Sequence, residues 1–302
     1  MLIFLKDKTI FLQPMSQAKK KARKKKKPAK PQAKGNRLKI ILFGAFLLVF
    51  FFAGLFITFK DKIAFHWASC FNKFEHKTLT NTEFERNRIH TIISENTDKV
   101  FGIDISHYQR KEDIKWDSLS IGSGSIPIRF IILRSTMGNH SADRHFPEYW
   151  QKAKQHNLIR GAYHFYRPDE DPVLQANNFL AKVNLETGDL PPVLDIEKPP
   201  LRKTKTQLIQ DLKIWCRIME DAYGRKPIIY TYYHFYKDNL RGEFDDYPLW
   251  LANYNPVKTP SPSDEWRFWQ FSENGIVHGI NTKVDLNVFN GGMFALRRMG
   301  ID

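Results

Sequence analysis

The chain has 302 residues, 42% hydrophobic and 14% aromatic, enough for one large domain with attachments or for two small ones. Its formal charge of +15 suggests a nucleic-acid partner. Thirteen Lys or Arg and a single acid, Asp7, lie in the first 37 residues, however, leaving +3 for the other 265. The basicity belongs to a tail, the remainder is nearly neutral, and no nucleic-acid partner is expected.

Residues 1–37 contain "KKKARKKKKPAK" (19–30), which cannot bury a core and predicts disorder. Met15 stands directly before this run and is an alternative start. "IILFGAFLLVFFFAGLFITF", Ile40 to Phe59, follows without a single charge. As a helix its twenty residues span about 30 Å, the thickness of a bilayer's hydrocarbon core. A secretory signal would have a shorter apolar region, roughly 7 to 15 residues, and a small-residue cleavage site. The exit here is "KDKIAF", and "WASC" (67–70) lies beyond those charges, too far on to serve as a lipoprotein site. A transmembrane helix is expected over 38–59. The Lys/Arg cluster before it predicts a cytoplasmic N-terminus, with everything after about residue 60 periplasmic or extracellular.

Residues 60–99 read as a stem without clear structure. Of the two cysteines, Cys70 lies in that stem and Cys216 on a helical apolar stripe with Leu208, Leu212, Trp215 and Met219, so no disulfide framework is expected. From Val100 the texture changes to short apolar runs: 100–106, 130–135, 160–166, 192–197, 227–232, 248–254, 267–272 and 283–289. Helical patterns fit at 147–157, 172–184 and 204–223, the last with Thr204 as N-cap and Gly224 as its end. Strands alternating with helices predict an α/β fold, a modified, TIM-like parallel (β/α) barrel over 100–296 whose C-terminal part is irregular, preceded by the single transmembrane helix. The structural alternative, a doubly wound sheet, lacks a glycine-rich phosphate loop after its first strand.

Polar or aromatic groups close nearly every strand: Asp104, Arg134, His164, Glu197, Tyr230, Asn253, Gln270 and Asp285. Strand ends share one rim in such barrels, where sites are built. In "PPVLDIEKPP" (191–200), alternation turns Asp195 and Glu197 to the side of Val193, while Leu194 and Ile196 face the opposite way. Asp104 and Asp285 follow the same alternation, so four carboxylates are expected to converge. Like charges oppose simultaneous ionisation and keep one acid protonated, as glycosidic cleavage requires beside a second carboxylate. Tyr163, Tyr166, Tyr230, Trp250 and Trp269, at or near strand ends, offer flat faces for sugar rings. A metal site built on the acids with His107 and His164 lacks HExxH or comparable spacing, so neither metal nor cofactor is expected. On these residues alone, a glycosidase and other barrel hydrolases remain open alternatives.

Nine segments in order, "FGIDISHYQ", "IKW", "FIILRSTMG", "LIRGAYHFYRP", "LPPVLDIE", "YGRKPIIYT", "PLWLANY", "WQFSENGIVHGI" and "VDLNVFNG", resemble the glycoside hydrolase family 25 lysozymes, the Chalaropsis-type N-acetylmuramidases, over residues 100 to about 292. The resemblance implies a modified α/β barrel. It also implies hydrolysis of the β-1,4 bond between N-acetylmuramic acid and N-acetylglucosamine in peptidoglycan, whose glycan strands would be the partner. It places Glu197 as proton donor, Asp195 as its partner acid and Asp104 and Asp285 along the cleft. Tyr163, His164, Tyr230, Trp250 and Gln270 would contact substrate. "STMG" (135–138) departs from the family's acidic or amide residue near Met137. A membrane-anchored lysozyme is the expectation, with a non-catalytic peptidoglycan-binding module as the alternative.

Overall fold

The computed structural model describes residues 34–75, 82–122 and 125–302; the basic run at 19–30 and the disorder expected for it lie outside the described residues, as does the side chain of Cys70. The chain divides into two compact units, Met1–Ile57 and Thr58–Asp302. Helix α1 (Lys34–Glu75) contains the stretch Lys39–Lys60, 22 residues long and apolar enough to cross a membrane, with none of it buried within the protein.

Residues 82–95 of the expected stem form a helix, α2 (Thr82–Glu95), that belongs to the second unit. Its Ile89, Ile92 and Ile93, at i, i+3 and i+4, make one apolar face that packs on the main core. Arg88 pairs with Glu85 at 2.6 Å, and Ser272 donates to the same carboxylate at 2.8 Å. A short apolar stripe inside a polar helix is easily missed, and it converts part of a connector into a docked element.

The second unit is a closed barrel of eight strands: β1 (Val100–Ile105), β2 (Phe130–Met137), β3 (Ile159–Phe165), β4 (Val193–Asp195), β5 (Ile228–Tyr232), β6 (Leu249–Ala252), β7 (Phe268–Gly275) and β8 (Val284–Phe289). Neighbours from β1 through β7 pair in parallel. The last strand departs from the all-parallel expectation, because β8 runs antiparallel to both β7 and β1. The few residues between β7 and β8 cannot make a parallel crossover, which takes about a dozen or more. Asp285 therefore sits at the beginning of its strand, yet on the same rim as the ends of the others.

Alternation sorts the side chains into two cores. Val100, Phe130, Ile132, Val193, Ile228, Tyr230, Trp250, Phe268 and Phe289 fill the barrel. Ile103, Ile131, Leu133, Leu194, Ile196, Ile229, Leu251 and Leu286 face outward to meet the helices. Both faces of each strand are buried, so the strands read as continuous apolar runs. Gly102 points inward where a Cβ would come within 2.5 Å of the Phe130 ring, so glycine is what lets that ring fill the barrel.

The helices are α3 (Phe146–Gln155), α4 (Pro172–Leu180) and α5 (Lys205–Tyr223). Thr204 caps α5 in a capping box with Gln207, and Gly224 ends it at φ 68°. The stripe Leu208, Leu212, Trp215, Cys216 and Met219 is buried, each large side chain stabilising by about 1.5–3 kcal/mol. After β5 only short helical turns connect strands, as the sequence suggested. A final helix, α6 (Met293–Arg298), sets Leu296 into the barrel's inner core.

Candidate active site

Asp104 and Asp285 face each other directly across the β1–β8 pair. Asp104 is almost wholly buried, and its Oδ2 accepts from Gln270 Nε2 at 2.8 Å and from Asn287 Nδ2 at 2.6 Å. Burial pushes its carboxyl up, opposed by hydrogen bonds from Gln270, Asn287 and Asp285. Burial, followed by the charge of Asp104, pushes Asp285 up to about 9. Carboxyls placed face to face oppose simultaneous ionisation, so the two titrate as a pair.

β4 delivers the other two acids, as alternation predicts. Asp195 ends the strand and Glu197 lies two residues on, with Leu194 and Ile196 packed outward. Asp195 is buried, and burial followed by the charges of Glu197 and Asp104 holds it well above the usual carboxylate range, against the lowering influence of Arg134. Its Oδ1 is buried and has no hydrogen-bond partner within the protein. Glu197 is half-buried at the mouth. Burial raises it, Lys198 acts against that, and Asp104 and Glu273 add to it.

The expected substrate contacts divide by the same alternation. Tyr163 turns inward, half-buried, and the Asp104 and Asp195 charges add to burial in raising its phenol. Tyr230, Trp250 and Gln270 also turn inward, but each is 5% exposed or less. Their polar atoms meet one another: Tyr230 donates to Gln270 Oε1 at 2.8 Å, Tyr254 donates to the same oxygen, and Trp250 Nε1 donates to Asn287 Oδ1 at 2.8 Å. They form the floor beneath the acids. His164, one residue beyond Tyr163, points to the helical side of the wall. There it meets Thr136 at 2.7 Å and Gln175 at 3.1 Å, lies against Trp215, and is pushed down to about 4 by burial. The structure does not bring it to the cleft. Tyr166 and Trp269 lie on that outer side too, and Asn253 Nδ2 donates to the Pro260 carbonyl.

Three participants were absent from the expected set. Asn287 follows Asp285 by two residues in "VDLNVF", and that spacing alone puts both on one face. Tyr254 closes the apolar run 248–254, and alternation from Trp250 through Ala252 carries it to the inner face although β6 ends at Ala252. Arg134 was legible as a strand end but not as a partner. Its Nε donates to buried Asp143 at 3.1 Å, its guanidinium also meets His107, and its charge reaches Asp195.

Known enzymes share this barrel and much of its sequence. The family profile described as "Glycosyl hydrolases family 25" matches residues 103–280. The chain belongs to glycosyl hydrolase family 25. It is 32% identical to "Lysozyme M1" of Streptomyces globisporus over 215 residues, covering 67% of this chain and 71% of that protein. It is 38% identical to the uncharacterised protein YegX of Escherichia coli K12 over 193 residues, covering 64% of this chain and 70% of that one. The crystal structure of a Streptomyces coelicolor lysozyme superposes with a TM-score of 0.59 at 30% identity, over 68% of this chain and 98% of that chain. A family 25 glycosyl hydrolase from Bacillus anthracis gives 0.61 at 26% identity, over 68% and 95%. This family 25 chain is a glycoside hydrolase of the lysozyme type, and peptidoglycan is its substrate class.

Proposed function

We propose that the barrel hydrolyses the β-1,4 bond between N-acetylmuramic acid and N-acetylglucosamine, with Glu197 as general acid. The observation that carries this reading is the convergence of Asp104, Asp195, Glu197 and Asp285 on one rim, each raised by burial and three of them also by the charge of another in the set. Glu197 is half-open at the mouth, where a glycosidic oxygen can reach it, and its raised pKa keeps the proton to be donated as the C1–O bond breaks. Asp195, with its unpartnered Oδ1, is suited to accept the N–H of the substrate's 2-acetamido group. That contact turns the acetamido oxygen toward C1 and stabilises the cation that forms there. Water then enters at C1, giving its proton to Glu197, and the configuration is retained. Tyr163, half-buried on the inner wall, stands beside Asp195 and Asp104.

Mass spectrometry of the peptidoglycan digest tests the bond. N-acetylmuramic acid at every new reducing end is the expected product, and N-acetylglucosamine there would overturn the assignment.

The same proposal anchors the enzyme in a membrane through Lys39–Lys60, with the basic tail cytoplasmic and the barrel periplasmic or extracellular. The full-length chain should stay with membranes through an alkaline carbonate wash, and protease added outside the cytoplasmic membrane should digest the barrel. Release into the wash, or protection of the barrel, would sink the topology.

A further inference from the structure

Asn287 is fully buried beside Asp104, and no role described so far requires it. Its Oδ1 accepts from Trp250 Nε1 at 2.8 Å, and its Nδ2 donates to Asp104 Oδ2 at 2.6 Å. An indole N–H only donates, so it selects the oxygen of the Asn287 amide and turns the NH2 toward Asp104. Gln270 takes the same sense from Asp104 itself, whose oxygen accepts from Nε2, while Oε1 accepts from the hydroxyls of Tyr230 and Tyr254. Two amides therefore present N–H groups to one carboxylate oxygen, and the indole prevents that of Asn287 from turning over. An oxygen that accepts two such bonds holds charge in preference to a proton.

We propose that Asn287 is a positioning residue: locked by Trp250 and acting with Gln270, it keeps Asp104 as the fixed negative charge of the cleft and leaves the pair's proton on Asp285. This charge bears on catalysis through Glu197, so the inference rests on the reading of Glu197 as the acid. The groups facing the pair are Asp195 and Lys198 from the β4 end, Glu273 on β7, Asp285 on β8, Tyr163 on β3, Tyr230 and Tyr232 on β5, Tyr254 past β6 and Arg134 on β2. Among them, Asp104 and Glu273 hold the Glu197 proton on, and Lys198 opposes them. Removing the Asn287 donor lets the pair's proton pass to Asp104, takes the negative charge off the carboxylate that bears on Glu197, and lets Glu197 lose its proton at lower pH.

The test is the pH profile of kcat/KM for peptidoglycan cleavage by the full chain and by Asn287→Leu. The basic limb should move down by about one pH unit, a displacement that a merely structural role would not produce. Trp250→Phe, which frees the amide to turn over but leaves it in place, should move the limb the same way by less. An unmoved limb in a folded Asn287→Leu, or a loss of activity equal at every pH, overturns the proposal. If Asn287→Leu does not fold, Trp250→Phe decides by the same criterion. A wild-type chain without lysozyme activity would fail the reading of the site itself; an active wild type whose variants keep its basic limb fails only the role of Asn287.

Discussion

Glu197→Gln should reduce the release of reducing ends from peptidoglycan by at least about 10²–10⁴-fold while leaving thermal unfolding unchanged. The amide keeps the shape and polarity of the carboxyl in a half-open position, so packing has no reason to respond. It cannot give a proton to the leaving oxygen. The wild-type profile should also lose activity as pH rises through the Glu197 pKa, which burial and the charges of Asp104 and Glu273 place above the ordinary glutamate value. Below that pKa the acid is protonated and competent; above it the carboxylate has nothing to donate. The variant should show no such limb. Near-wild-type activity in Glu197→Gln would remove it as the acid and direct attention to Asp195, which burial also keeps high.

Asp189→Ala should be among the most destabilising single changes in the barrel, at about 3–5 kcal/mol. Arg160, at the start of β3, is 4% exposed and makes a two-pronged ion pair with Asp189, at 2.7 Å from Nε and 3.0 Å from its terminal nitrogen. The same guanidinium donates to the Trp150 carbonyl at 3.0 Å and lies 4.1 Å from the Trp150 ring, so it joins α3 to the wall. The Asp189 backbone carbonyl accepts from Ile301 at 2.9 Å, bringing in the C-terminus. Removing the carboxylate leaves a buried cation whose remaining acidic neighbour is Glu186, at 3.3 Å and half in water. A thermal melt should fall by roughly 10 °C or more. A loss under about 1 kcal/mol would mean that Glu186 takes over the pairing. The double change Arg160→Met with Asp189→Leu should cost far less than Asp189→Ala, since neither charge is then buried alone.

Much of the fold was legible because strand periodicity leaves few choices. "VLDIE" separates Asp195 and Glu197 from Leu194 and Ile196 by alternation alone, and the two cores divide along that line. The direction of β8 was misread as parallel, although the short spacer before it already excluded a crossover. His164 shows where residue type misleads. A polar histidine at a strand end suggests a rim contact, but it stands one place out of phase with inward Tyr163. Thr136 and Gln175 satisfy it behind the wall. Gln270 and Trp250 were read as rim residues that would contact substrate. That they face the Asp104 cluster and not open cleft depends on depth, which no alternation rule encodes.

The reversed last strand also sets an order of events. Asp104 rides on the first strand of the barrel and Asp285 on the last, and the hydrogen bonds that bring them face to face are the ones that close the cylinder. Contacts so distant along the chain are slow to form, because loop closure comes before any gain from the contact. Asp195 and Glu197 are neighbours two residues apart before any closure, whereas the paired aspartates opposite them are not. Wall-cleaving activity should therefore appear during refolding only as the cylinder shuts, and so time that closure.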